Sequence, residues 1–254
     1  MHTRLLHLGL ALLSGLFCNL ALAQEPLRIG AEDDWYPYTA YRDGKVQGMS
    51  VDIVKAAFAA SDTEITLVPY PYSRCMQMTR EGQLAACFNT APNTLIESQF
   101  LHPEEPLFDA EIMLWAKRPT AHILDLPQQL AGRRVAMTSG YEYGPLLDDD
   151  QKVVKVSVRR DLSGFLMLLR GRVEFVAAYR DTAEALFREH PDLQGQFEPV
   201  ATVHRPKLYL SLSRQHPDAA RLLEHFDQGM RQIRRDGRYQ QILQQWQHHN
   251  LNAD

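Results

Sequence analysis

Four short stretches carry the side chains with chemistry to offer. "EDDWYPY" (32–38) sets Glu32, Asp33 and Asp34 against Trp35, Tyr36 and Tyr38, and "CFNTAPN" (87–93) supplies Asn89 and Thr90. "TSGYEYG" (138–144) supplies Thr138, Ser139, Tyr141 and Glu142, and "AYRDT" (178–182) supplies Tyr179 and Arg180. Rings beside a carboxylate suit a cation or a flat apolar group. No reactive constellation accompanies them: G-x-S-x-G, H-E-x-x-H and Walker-type loops are absent. His102, His122, His190, His204, His216 and His225 are scattered, so neither a metal set nor a cofactor is expected.

Each of these stretches follows a strand-like run. "LRIG" (27–30), "EITLVPY" (64–70) and "LAACFN" (84–89) read as strands. Between them lie helical segments: one after Ser50, taken as its N-cap with Val51, Val54, Ala57 and Phe58 on one face, and one over 73–82. A second series repeats the rhythm with strands over 133–138, 152–158 and 173–179 and a helix over 162–172. Beyond "KLYLSLS" (207–213) two terminal helices are separated at Asp236 and Gly237. Strand, helix, strand throughout predicts mainly parallel sheets flanked by helices. Ligands bind beyond the carboxyl ends of such strands, which is where the four stretches fall.

Residues 1–23 carry Arg4, an apolar run from Leu5 to Leu16 and a small-residue cleavage site at 21–23, the pattern of a secretory signal peptide. Without them the chain holds 26 basic and 31 acidic residues, a formal charge of −5. A mildly acidic, unpatterned balance excludes nucleic acid as a natural partner. Cys75 and Cys87 remain in what would be an oxidising compartment, and whether they pair stays open.

In order along the chain, "LRIGAEDDWYPYTAYRDGKVQGMSVDIVKA", "LAGRRVAMTSGYEYG", "LLRGRVEFVAAY" and "QIRRDGRYQQILQQW" resemble the family 3 periplasmic solute-binding proteins of polar-amino-acid ABC importers. The resemblance implies a two-lobe α/β periplasmic binding fold (type II) with two hinge crossovers. Lobe I would span 24–112 and 206–254, and lobe II 113–205. It places an acid at Glu32, sandwiching rings at Trp35 and Tyr72, and polar ligand contacts at Asn89, Thr90, Thr138, Ser139 and Tyr141. Asp33 and Asp34 read instead as turn or capping residues. Two clamps of amino-acid-binding relatives are missing. No Lys or Arg occurs between Arg80 and Lys117 to grip an α-carboxylate, and Tyr179 stands where an Asp would receive the α-ammonium. Arg74 and Arg180 are the cations that remain for an acidic ligand.

The expected function is a monomeric periplasmic receptor that closes on a small polar, cationic or aromatic solute for an ABC permease or a membrane sensor. An enzyme on the same scaffold, akin to the cyclohexadienyl dehydratases, is the alternative, with Glu32 or Glu142 as its acid. Trp35, as a ligand-facing ring, is expected to tolerate truncation without much loss of fold stability.

Overall fold

The computed structural model describes residues 27–120 and 128–251; the leader expected over 1–23 lies outside them. From Leu27 the chain forms β1 (Leu27–Glu32), then the short antiparallel strands β2 (Asp34–Trp35), β3 (Thr39–Arg42) and β4 (Lys45–Gln47). There follow α1 (Met49–Ala60), β5 (Ile65–Tyr70), α2 (Tyr72–Arg80), β6 (Ala86–Thr90), α3 (Thr94–Gln99), β7 (Phe100–Leu101) and β8 (Phe108–Asp109). The second lobe comprises β9 (Ile112–Lys117), β10 (Arg134–Thr138), α4 (Pro145–Asp148), β11 (Val154–Val158), α5 (Asp161–Leu169), β12 (Phe175–Tyr179), α6 (Arg180–Glu189) and β13 (Phe197–His204). The chain then returns through β14 (Lys207–Ser213) to α7 (Ala219–Arg235) and α8 (Arg238–Leu251).

Two sheets result. The first runs β5-β1-β6-β14-β7, with β8 also on β14, and the second runs β11-β10-β12-β9-β13. β1 is parallel to β5 and β6, and β10 is parallel to β11 and β12. All five residues of β6 are buried, polar Asn89 and Thr90 included, as in a strand covered on both faces. The chain passes between sheets twice, from β8 to β9 and from β13 to β14. Ile112, expected in the first lobe, pairs with Tyr179 and His204 in the second sheet.

The helices cover the sheets through apolar stripes. Leu222, Phe226, Met230 and Ile233 are fully buried on α7, and Phe226 meets Phe58 of α1 at 5.1 Å between ring centroids. Burying each such side chain stabilises the fold by roughly 1.5–3 kcal/mol. Gly229 permits the contact, since a Cβ there would lie 1.9 Å from the Ala57 carbonyl oxygen. Ser50 does not cap α1 as expected: Gly48 holds that position. The Ser50 hydroxyl instead donates to the Tyr38 carbonyl at 2.7 Å and lies 2.8 Å from the Thr39 hydroxyl, pinning the ring-rich loop onto the helix. Cys75 and Cys87 are joined, tying α2 to β6 across 6.0 Å between Cα atoms. Among the described residues no helix is long and apolar enough to cross a membrane.

Candidate functional site

Parallel strands aim their carboxyl ends at the junction of the two lobes. β1 ends in Glu32, and β5 ends one Pro before Tyr72, the first residue of α2. Opposite them, β10 ends in Thr138 and runs into a turn carrying Ser139 and Tyr141. These residues, with Ser73, line a cavity of about 200 Å³. Asp33 and Asp34 after β1 and Ser157, Arg159 and Arg160 at the end of β11 complete its wall.

Two phenol contacts bridge the lobes here. The Tyr141 hydroxyl donates to Glu32 Oε1, and the Tyr72 hydroxyl donates to the Glu142 carboxylate at 2.8 and 3.0 Å. The two phenol rings meet edge to face at 5.3 Å. Behind Thr138, whose hydroxyl donates at 2.6 Å, Asp161 opens α5 and is buried.

The electrostatics of this group are one-sided. Burial outweighs the Tyr141 hydrogen bond and holds the Glu32 carboxyl well above the usual range. Burial likewise lifts Glu142 to about 7, against hydrogen bonds from Tyr72 and the Ala91 N–H. Asp161 rises to about 6, again through burial, with Asp34 adding repulsion. The phenols of Tyr72 and Tyr141 are pushed up by burial and by these neighbouring carboxylates, so they remain donors. Among the described residues no Lys or Arg lies within ion-pair distance of Glu32, Glu142 or Asp161.

The expected site residues divide into three groups. Glu32, Tyr72, Thr138, Ser139 and Tyr141 line the cavity. Trp35, Asn89, Thr90 and Tyr179 are buried outside that lining, bound into the protein's own packing. Trp35 is only 2% exposed, with its ring centroid 4.5 Å from Tyr38 and 4.7 Å from Tyr179. Its indole walls off the lobe junction instead of facing the cavity. The Asn89 amide donates to the Thr39 hydroxyl at 2.5 Å, and the Thr90 hydroxyl lies 2.7 Å from that of Ser211. Yet Asn89 Oδ1 and Trp35 Nε1 are buried without a hydrogen-bond partner.

Arg74 and Arg180 are placed elsewhere. Arg74 is exposed on α2, where it donates to Gln77 at 3.2 Å, because the helix turns it away from the lobe junction. Arg180 donates to Glu111 at 2.7 Å beside the crossover, a carboxylate that Arg205 and Thr202 also engage. Backbone amides of the turn after β10 are occupied as well: the Thr138 N–H donates to the Tyr143 hydroxyl at 2.7 Å and the Tyr141 N–H to the Thr138 carbonyl. Asp148 accepts from the Tyr143 and Gly144 N–H groups, and the Ser139 N–H donates to Val158.

Sequence reading missed Asp33 and Asp34 as cavity residues, treating them as solvated turn positions. It also missed Ser157, Arg159 and Arg160, although the strand-end rule applied to 152–158 would have found them. Asp34 is held there by Arg160 at 2.9 Å, across the lobes.

The profile of the bacterial extracellular solute-binding proteins, family 3, matches residues 27–249. Over 241 residues the chain is 23% identical to ABC transporter arginine-binding protein 1 of Escherichia coli (strain K12), covering 94% of this chain and 98% of that protein. In fold it is similar to a histidine kinase sensor domain with similarity to periplasmic binding proteins, with a TM-score of 0.78, 18% identity, and 87% and 96% of the two chains covered. An ancestral arginine-binding protein bound to arginine gives a TM-score of 0.74 at 20% identity, covering 88% of this chain and 98% of that one.

Proposed function

Because the chain belongs to the bacterial extracellular solute-binding proteins of family 3, we propose that it closes in the periplasm around a small cationic solute and presents the loaded form to an ABC importer. The observation that carries this reading is the set of three buried carboxyls at or just behind the cleft, Glu32, Glu142 and Asp161, held by hydroxyl and amide donors and none of them ion-paired to a basic side chain. Desolvated carboxylates gain most from an added positive charge. The arginine-binding relatives support the same class, while the missing carboxylate clamp and the occupied amides of Ser139, Tyr141, Tyr143 and Gly144 argue against their mode of holding an α-amino acid.

Readout by a membrane signalling receptor is the second possibility, favoured by the likeness to a sensor domain. Loss of solute uptake on deleting the chain supports import; loss of a transcriptional response with uptake intact supports sensing. Glu142, held near neutrality, is also the kind of acid a dehydratase on this scaffold would use, so any solute that binds is to be incubated with the protein and checked for product.

The binding test is a thermal-shift and calorimetry panel of amines, guanidines, amino acids and organic acids. Cations are expected to raise Tm by mass action and acids are not. A cation needs Glu142 ionised, so its affinity should fall about tenfold from pH 8 to pH 6, the interval in which a carboxyl titrating near 7 gains its proton. In the unliganded protein the sign is opposite: the folded state holds that proton more tightly than the unfolded chain, so stability declines as pH rises from about 5 to 7. Selective binding of acids, or cation affinity indifferent to pH, would overturn the reading.

A further inference from the structure

The junction holds more room than one cavity describes. Beyond the Tyr72–Glu142 contact lies a second cavity of about 480 Å³, with Met76, Ile96 and Phe100 as apolar lining and Glu142 and Asp148 as its carboxyls. Ser73 and Tyr141 line both cavities. Each compartment thus has a buried acid of its own, Glu32 in one and Glu142 in the other, and Tyr141, which lines both, meets Tyr72 edge to face.

We propose that the ligand of this site is a linear dication without a carboxylate, one cationic head at Glu32, the other at Glu142, and a methylene chain running past Tyr141, the ring that lines both cavities. This rests on the cationic-solute reading above and makes it narrower. Each ammonium or guanidinium would take over the acceptor now served by a phenol, adding a charge where the phenol supplies only a dipole. The chain would lie against aromatic and aliphatic surface, which favours methylenes over polar substituents. A buried carboxylate on the ligand would find no comparable partner. The cations that reach either cavity, Arg80, Arg159 and Arg160, are all exposed, where ion pairs contribute little, and Arg160 is already engaged by Asp34.

The experiment is titration calorimetry at pH 8 with 1,5-diaminopentane, n-pentylamine and lysine, which differ only in the second charge and in the carboxylate. The diamine is expected to bind at least tenfold more tightly than either of the others. Glu142→Gln should lower its affinity more than that of n-pentylamine, with far-ultraviolet circular dichroism verifying the fold of the variant and Asp148→Asn as a second probe of the same compartment. Equal affinity for diamine and monoamine, or lysine binding as tightly as the diamine, overturns the dication while leaving a cationic ligand in place. No heat from any amine or guanidine overturns both.

Discussion

Trp35 separates two roles that its residue type permits equally. A ring next to acids at a strand end reads as a ligand platform, yet this indole is enclosed by Tyr38, Phe108, Tyr141 and Tyr179. Its neighbour Tyr38 stacks on Phe108 at 4.7 Å and donates to Asp181 of the other lobe at 2.8 Å. Trp35→Ala therefore removes core packing at the lobe junction and should cost about 3–5 kcal/mol. For a chain of this size that corresponds to a fall in Tm on the order of 10 °C. Thermal denaturation of the unliganded variant checks this, and a drop of 2 °C or less would return Trp35 to the ligand. Sequence gives the residue type and the loop, but which face of the ring is covered depends on Tyr179, 144 positions later, and no local pattern encodes that.

At the scale of elements, α2 matters most, since it delivers Tyr72 to the cleft from a helix held by a covalent tie. Gly30 in β1 makes the approach possible: a Cβ there would lie 2.4 Å from Cys75 Sγ. The tie closes a loop of 12 residues in sequence separation, and its loss through Cys75→Ala with Cys87→Ala should reduce stability by about 3 kcal/mol. Chemical denaturation with ligand titration alongside would measure both effects. Weaker ligand binding at unchanged stability would mean that the bond positions Tyr72 without supporting the fold. Elements of this kind were largely legible. The apolar runs of β6 and β14 and the stripe of α7 have periods that sequence displays directly, and the Asp236–Gly237 break fell between α7 and α8 as read. Helix phase was less legible. Arg74 lies two positions after Tyr72 on the same helix, so about 200° of turn sends one side chain inward and the other to solvent. Arg180 was drawn off by Glu111, a partner on a distant strand that spacing does not reveal.

Across the whole molecule, five polar side-chain pairs fasten the lobes among the described residues, alongside the ring contacts of Trp35 and Tyr141. Tyr141–Glu32 and Tyr72–Glu142 lie at the cavities, Tyr38–Asp181 beside them, and Asp34–Arg160 and Arg42–Glu189 toward the surface. Hydrogen bonds to charged groups contribute roughly 1.5–3 kcal/mol each, so removing both phenol contacts shifts the closing equilibrium by more than tenfold. Tyr72→Phe with Tyr141→Phe is expected to enlarge the radius of gyration of the unliganded protein in small-angle scattering at pH 8. An unchanged scattering curve would mean that the hinge strands alone set the closed form.

The two outer fasteners have a practical side. Asp34–Arg160 and Arg42–Glu189 pair groups that are about 34–49% solvent-accessible, and dissolved ions weaken attractions of this sort. Closure of the lobes measured in dilute buffer will thus be firmer than in brackish surroundings, and the resting set of the two halves follows the ionic strength of the medium around them.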